Sequence, residues 1–202
     1  MTLLLGLESG IGLETQITVD GVETAGYSRG DRIDFLTGEE YTALPGIITF
    51  RGDNFRSFGS YGAASITEKK FGLEYWKFTT GSMPKKTGSG SWTGSGWTGQ
   101  PLIVRWPEST KQAMNLYDSA KAKKDLVEVI YATMDGNIYF LDLDTGEKTR
   151  DPINVGYPFK GAGALDPRGV PLMFVGSGDN TAMHGGQTAR AFIISLVTGE
   201  VL

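Results

Sequence analysis

An internal repeat constrains the fold of this chain more than any other feature of its sequence. Residues 130–148 and 174–201 are copies of one motif: an apolar run, a turn that contains Asp, a second apolar run and the triplet Thr-Gly-Glu. Asp135 in the first copy corresponds to Asp179 in the second, 44 positions later, whereas the two Thr-Gly-Glu triplets are 53 positions apart. The second copy therefore contains nine extra residues within 181–190. Repeats of roughly 40–50 residues are typical of β-propeller blades.

Each copy predicts two β-strands joined by a tight turn. In the first copy, residues 127–133 and 138–143 are rich in residue types that favour pleated sheets. The dipeptide Asp135-Gly136 between them is a hairpin signal. Residues 138–141 are apolar without alternation, which suits a strand that is covered on both faces. The following Asp-Thr-Gly turn should lead the chain into an outer strand at 153–156.

A looser copy of the motif precedes these two. Residues 73–81 resemble an outer strand, and residues 99–104 resemble an inner strand that matches 161–165. Two insertions lengthen the loops of this earlier copy, at about 82–98 and about 107–124. Residues 120–124 could form a helical turn in the second insertion, but we expect it to be mostly loop, because it contains a proline and scattered polar residues.

Together these copies predict an all-β fold, a partial β-propeller at 47–202. It would have about three blades of four-stranded antiparallel sheet, the last one incomplete. Residues 1–46 differ from the repeats and should form an N-terminal extension, with a strand or hairpin around Asp20-Gly21. A closed propeller has about four to eight blades, so further blades are missing or supplied by another chain. We favour a longer natural chain, because an open array leaves exposed strand edges.

Charge and composition exclude several classes of function. The net charge is −4, with 19 basic and 23 acidic residues and no strongly basic half, so nucleic-acid binding has no electrostatic footprint. The chain has no cysteine, which excludes disulfides, cysteine-ligated zinc and thiol chemistry. No apolar run approaches the ~20 residues of a transmembrane helix, and no signal peptide is visible.

The repeat also carries a family resemblance. Residues 131–147, Tyr-Ala-Thr-Met-Asp-Gly-Asn-Ile-Tyr-Phe-Leu-Asp-Leu-Asp-Thr-Gly-Glu, resemble the repeat of the pyrroloquinoline quinone (PQQ)-like, or quinoprotein-like, β-propeller superfamily. The resemblance extends over 47–202 in degenerate form and is clear only in the two copies above. That superfamily includes PQQ-dependent alcohol dehydrogenases and the non-catalytic lipoprotein of the outer-membrane protein assembly machinery. The resemblance therefore implies a blade and an extracytoplasmic or cell-envelope location, but no particular chemistry.

The departures from the enzyme branch favour a non-catalytic protein. Alcohol dehydrogenases of this type carry an adjacent pair of cysteines beside the cofactor, and this chain has none. Their catalytic Asp and calcium ligands have no residue-by-residue match here. We therefore expect a binding or scaffold propeller that requires no cofactor and binds a protein or small molecule at its inserted loops. The alternatives are part of a PQQ- and calcium-dependent dehydrogenase, and a purely structural array of blades.

The candidate ligand-binding residues lie in loops, and no catalytic residue or metal ligand is assigned. A Gly/Ser-rich segment presents Trp92 and Trp97, followed by Gln100. Tryptophan offers a large stacking surface with one polar group, so a sugar, a peptide or a quinone ring would fit there. The structural alternative is that these rings pack between blades. Asp179 and Asn180 would either hold a cation or ligand at a blade mouth or close a hairpin.

Four other motifs have structural interpretations. Gly94, Gly96 and Gly99 spell Gly-x-Gly-x-x-Gly, but a strand-like run follows instead of a helix, so dinucleotide binding is rejected. The acidic run Asp142, Asp144 and Glu147 lacks one ligand of a calcium loop and predicts a turn. His184, the only histidine, has no evident partner and is interpreted as an exposed loop residue. The tripeptide Arg51-Gly52-Asp53 is interpreted as a structural element of the repeat.

Overall fold

The computed structural model describes residues 16–31, 43–53, 55–56, 63, 65–70, 72, 75–86, 88–96, 99–178 and 189–202. The chain divides into two compact units, Met1–Phe35 and Leu36–Leu202. In the first unit, strands β1 (Ile17–Val19) and β2 (Val22–Thr24) form an antiparallel hairpin. Asp20 and Gly21 connect them with φ angles of 50° and 79°, the pair of positive values that a type I′ turn requires. The predicted hairpin around Asp20-Gly21 is confirmed.

The described part of the second unit contains ten strands and two short helices. The strands are β3 (Gly46–Ile47), β4 (Ser82–Pro84), β5 (Ser91–Thr93), β6 (Leu102–Val104), β7 (Glu128–Ala132), β8 (Asn137–Asp142), β9 (Ile153–Asn154), β10 (Ala164–Leu165), β11 (Leu172–Ser177) and β12 (Arg190–Ser195). The helices are α1 (Glu108–Ala113) and α2 (Asp118–Ala122). No helix in this part of the chain is long and apolar enough to cross a membrane.

The strands of the second unit form small antiparallel sheets. A first sheet has the order β3-β6-β7-β8-β9, a second sheet has the order β10-β11-β12, and β4 pairs with β5 in a separate hairpin. All of these pairings are antiparallel, which confirms the predicted all-β class. The predicted boundary between residues 46 and 47 falls inside the second unit, where β3 belongs to the first sheet.

The two repeat copies fold into the same hairpin. In the first copy Asp142 N–H donates to the carbonyl of Glu147 at 2.8 Å. In the second, Ser195 N–H donates to the carbonyl of Glu200 at 2.9 Å, 53 positions later. Bridges Leu141↔Lys148 and Ile194↔Val201 continue both turns. The Thr-Gly-Glu triplets are therefore equivalent turns of one supersecondary unit.

Glycine is required in the first of these turns for two reasons. Gly146 has a φ of 72°, in the left-handed region that side chains disfavour. A Cβ there would also lie 2.6 Å from the Trp76 ring, which packs directly on the turn. Gly199 repeats the conformation with a φ of 81°.

Two segments differ from the predictions. Residues 73–81 were expected to form an outer strand, but the described residues 75–81 form none and instead run across the first sheet. Trp76 Nε1 donates to the Leu143 carbonyl at 2.7 Å, and Gly81 N–H donates to the Asp135 carboxylate at 2.8 Å, so side-chain contacts replace a backbone ladder.

The insertion at 107–124 was expected to be mostly loop but contains α1 and α2. Pro107 lies at the N-cap of α1 instead of inside the helix, a place where its missing N–H and fixed φ do no harm. Lys111 then stabilises the helix by pairing with Glu108 at 2.8 Å and donating to the Lys123 carbonyl at 2.6 Å.

The two larger sheets stack head to tail, with one face of the first sheet against the opposite face of the second. We call the side of the first sheet that carries Ile130 and Phe140 its forward face, and the side that carries Val129 and Leu141 its rear face. The faces of the second sheet are named by the residues at the equivalent repeat positions. Under the 44- and 53-residue offsets, the second sheet has Phe174 and Ile193 on its forward face and Met173 and Ile194 on its rear face.

Burial follows this division. Ile130 and Phe140 are each 1% exposed and share one core cluster with Met173 and Ile194, which are both 0% exposed. The equivalent forward positions of the second sheet, Phe174 and Ile193, are 39% and 42% exposed. The forward face of the first sheet thus packs on the rear face of the second, whose own forward face is partly exposed to solvent.

Candidate functional site

A cavity of about 530 Å³ lies on the rear face of the first sheet, beneath the extended segment 76–80. We call it the rear-face cavity. Its apolar walls include Trp76, Phe78, Val129, Tyr131, Tyr139 and Leu141. Its polar lining side chains are those of Lys77, Thr80, Ser95 and Thr133. The cavity is therefore mainly aromatic and aliphatic, with a few hydroxyl groups and one ammonium group.

Segment 75–80 covers the sheet because its side chains alternate. Trp76, Phe78 and Thr80 are partly buried, whereas the residues between them are exposed. This is the period of two that an extended chain imposes on its side chains. The Phe78 ring meets the Tyr139 ring edge-on at 4.8 Å, so the segment is held by aromatic contacts as well as by hydrogen bonds.

Asp135 lies next to the cavity, where it is hydrogen-bonded to two of the lining residues, Thr133 and Tyr139. Its carboxylate is 2% exposed and accepts hydrogen bonds from the hydroxyls of Thr133 and Tyr139, from Asn137 and from the Gly81 amide. Burial alone raises the pKa of Asp135, but the hydrogen bonds from Thr133, Tyr139 and Asn137 outweigh it and hold that pKa below its usual value. The carboxylate is thus an ionised anchor for the covering segment.

The lowered pKa of Asp135 predicts a pH dependence of stability. A folded-state pKa below the unfolded value of about 3.9 gives stability that is present above that value and is lost as the pH falls through the folded pKa. Asp135→Asn should therefore flatten the dependence of the unfolding free energy on pH below about pH 4, by at most about 1.4 kcal/mol per pH unit. Tyr139→Phe, which removes one of the hydrogen bonds, should give an intermediate slope. Urea denaturation at several acidic pH values checks this, and an unchanged slope in Asp135→Asn would contradict it.

A second feature lies around Trp92 and Tyr157, and we call it the cationic patch. Lys85 Nζ and Lys160 Nζ lie over the Trp92 ring, at 4.7 Å and 4.8 Å from its centroid. Lys86 Nζ and the Arg190 guanidinium lie over the Tyr157 ring at 5.1 Å and 5.2 Å. The patch thus gathers four cations around two aromatic rings.

The other predicted ligand-binding residues have the following places. Gln100 is partly buried, and its side-chain carbonyl accepts a hydrogen bond from the Arg51 amide at 2.9 Å. Arg51 has a φ of 62°, so Gln100 stabilises a strained turn. Trp97, Asp179, Asn180 and His184 lie outside the described residues.

The glycines of the Gly-x-Gly-x-x-Gly run serve close packing. A Cβ on Gly96 would lie 2.4 Å from the Lys160 carbonyl oxygen, and Gly94 accepts a hydrogen bond from the Met134 amide at 2.9 Å. Strand β6 follows this run. Because no helix N-terminus follows, the segment lacks the geometry that binds a dinucleotide pyrophosphate.

The acidic turn of the first copy holds an ammonium group. Lys123 Nζ donates to Asp142 at 2.7 Å and to Asp144 at 2.6 Å, so one ammonium group of the protein bridges the two carboxylates and offsets one of their two charges. Calcium needs about six to eight oxygen ligands. Within the described ranges, no group of three or more His, Asp or Glu side chains is placed to hold a metal ion.

Sequence reasoning identified Trp92 but missed most of the residues that build these features. The covering role of 75–80 had no clear signal, because Tyr75 and Thr79 are also large or β-branched and only the structure shows that Trp76, Phe78 and Thr80 face the sheet. No local pattern indicated that Lys85, Lys160 and Arg190 would meet.

Comparison with known proteins identifies no relative of this chain. No protein-family model, no curated protein and no solved structure matches this chain. The function must therefore be inferred from the cavity and the patch themselves.

Proposed function

We propose that this chain is part of a non-catalytic β-propeller of the PQQ-like repeat type, which binds a ligand through the rear-face cavity and acts in the cell envelope or outside the cytoplasm. The rear-face cavity is the observation that carries the binding role. The repeat resemblance is the basis for the propeller and for the location.

The head-to-tail stacking of the two sheets supports the propeller. A head-to-tail interface repeats through successive units and closes into a ring when the rotation between units allows it. A propeller is such a ring of sheets around a central channel. Phe174 and Ile193 would then lie on the surface that the next blade covers, supplied by a longer chain or by another chain.

The chemistry of the cavity supports binding over catalysis. No carboxylate or imidazole is among the described residues that line it. The nearby Asp135 carboxylate already accepts several hydrogen bonds, and a lowered pKa makes it a weak base. The apolar walls therefore offer a site for an apolar or aromatic group, as ligand pockets generally do.

A neutral aromatic probe tests this proposal. N-acetyltryptophanamide should bind with a dissociation constant of about 0.1–1 mM, as expected for a small ligand in an apolar site. Ser95→Trp, at the lining of the cavity, should weaken this binding at least about tenfold by filling it. Ser89→Trp, on an exposed residue of the same Gly/Ser-rich loop that does not line the cavity, is the control and should leave affinity unchanged. NMR chemical-shift titration measures all three.

Two results would overturn the proposal. If N-acetyltryptophanamide does not bind, or binds Ser95→Trp as tightly as the unchanged protein, the cavity is not the binding site. Dye-linked oxidation of alcohols or sugars after reconstitution with PQQ and Ca²⁺ would show instead that the protein is a quinoprotein dehydrogenase.

A further inference from the structure

We infer that the cationic patch binds the carboxylates of an extended acidic peptide, one of whose apolar side chains enters the rear-face cavity. This inference rests on the proposed binding role of that cavity. It adds the class of the partner and a second contact surface.

Three separate segments converge to form the patch. Lys85 and Lys86 follow β4, Lys160 follows the Tyr157 turn, and Arg190 begins β12. The cations over each ring lie within about one Debye length of each other, since that length is about 10 Å at 0.1 M salt. Among the residues that the structure describes, no ion pair includes Lys85, Lys86 or Arg190. Lys85, Lys86 and Arg190 therefore concentrate positive charge on one surface of a protein whose net charge is −4.

The geometry of the patch favours the binding of an anion rather than the stacking of a flat aromatic ligand. The ammonium and guanidinium groups lie over the aromatic rings, so they occupy ring surface that a flat ligand would need. Cation–π contacts also hold these long side chains in place and reduce the entropy that binding would cost. The N–H groups of Lys85, Lys86 and Arg190 can then donate charge-assisted hydrogen bonds to carboxylates.

The patch adjoins the cavity along the chain. Trp92 precedes Gly94 by two residues, and Gly94 contributes to the cavity lining. Two extended residues span about 6–7 Å. A peptide in an extended conformation advances by the same amount, so a side chain in the cavity would place acidic neighbours two or three positions away at the patch.

The lining of the cavity distinguishes a peptide from an acidic polysaccharide. A sugar ring needs hydrogen bonds for several hydroxyls. The Thr133 and Tyr139 hydroxyls in the cavity already donate to Asp135. An apolar or aromatic amino-acid side chain makes no such demand, so the cavity fits a peptide better.

Three synthetic peptides test the inference by isothermal titration calorimetry. They are acetyl-Glu-Glu-Trp-Glu-Glu-amide, its all-Gln counterpart acetyl-Gln-Gln-Trp-Gln-Gln-amide, and acetyl-Glu-Glu-Ala-Glu-Glu-amide. At about 20 mM NaCl the Glu–Trp peptide should bind at least about tenfold tighter than either of the others, and its advantage over the Gln peptide should shrink at about 500 mM as salt screens the patch.

Matched lysine variants assign the effect to the patch. The double variant Lys85→Gln/Lys86→Gln should lose about fivefold to tenfold in affinity for the Glu–Trp peptide and less than about twofold for the Gln–Trp peptide. Lys69→Gln/Lys70→Gln removes an adjacent pair of lysines that are both exposed and lie outside the patch, and it should change neither affinity.

The failures of the two proposals are distinguishable. Equal affinities for the Glu–Trp and Gln–Trp peptides would overturn the role of the patch, while Ser95-dependent binding of N-acetyltryptophanamide would leave the cavity proposal standing. Equal binding of the Trp and Ala peptides would overturn the link to the cavity. Tighter binding of polygalacturonate than of the Glu–Trp peptide would assign the surface to acidic polysaccharides and overturn the peptide.

Discussion

Glu128→Met is expected to lower the free energy of unfolding by about 3–5 kcal/mol, because it leaves a buried guanidinium without its carboxylate. Glu128 is 0% exposed and pairs with Arg150, itself 1% exposed, at 3.0 Å. The Glu128 carboxylate also accepts from the Trp106 indole at 2.9 Å and from the Thr149 hydroxyl at 2.6 Å. Removing it therefore orphans several buried donors as well as one charge.

Arg150 connects this carboxylate to the second repeat copy. One of its nitrogens donates to the Leu196 carbonyl at 2.7 Å and to Asn115 at 2.9 Å, and its guanidinium lies 4.6 Å from the Phe140 ring centroid. Arg150→Met should therefore destabilise the protein by a similar amount, about 3–5 kcal/mol.

A double-mutant cycle and a surface control complete this test. Glu128→Met/Arg150→Met should be less destabilised than the sum of the two single variants, because neither charge is then buried alone. Arg105→Met breaks a pair with Asp125 in which both side chains are largely exposed, at 51% and 72%, and it should have little effect. Urea denaturation of the four variants measures the differences. Losses for Glu128→Met no larger than for Arg105→Met would contradict a buried, fully hydrogen-bonded ion pair.

The second large effect concerns the stacking of the two sheets. Phe140→Ala should cost about 3–5 kcal/mol and Ile130→Ala about 2–5 kcal/mol, because both side chains are 1% exposed on the covered forward face. Ile193→Ala, at the repeat position equivalent to Phe140, should cost less than about 1 kcal/mol because its side chain is 42% exposed. Equilibrium denaturation at low protein concentration compares the three.

The comparison of Ile130→Ala with Ile193→Ala is the sharper one. Both changes delete the same atoms, and each does so from the forward face of its own sheet. A difference of at least about 1 kcal/mol is expected from burial alone. Equal losses of unfolding free energy in the two variants would show that the forward face of the second sheet is covered in solution, and would contradict the exposure of Phe174 and Ile193.

Some elements were predictable because their signals are local. Asp20-Gly21 and Asp135-Gly136 both lie at hairpin turns, and Gly21 and Gly136 have φ values of 79° and 80° that glycine adopts without strain. The predicted strands at 127–133 and 138–143 correspond to β7 and β8 within one or two residues. The outer strand expected at 153–156 corresponds to β9.

Other elements followed from contacts that no local pattern encodes. Residues 75–81 have the composition of a strand, yet tertiary contacts use them as a cover. Helix α1 was not predicted because proline was weighed as a helix breaker, although at an N-cap it is tolerated. Helix α2 overlaps the helical turn that the sequence allowed at 120–124. Trp92 was identified as unusual, but the cations over its ring come from residues 85 and 160 and were not predictable.

The sequence by itself determined the repeat, its turns and the all-β class, since strand pattern and turn chemistry act over a few residues. Only the tertiary structure decided which distant groups meet. Asp135 binds the Gly81 amide 54 positions away, and Arg150 binds the Leu196 carbonyl 46 positions away. Such pairs depend on how the sheets and insertions pack. That packing buries the Glu128–Arg150 ion pair, leaves the cavity beneath segment 76–80 and brings the four cations of the patch onto two aromatic rings.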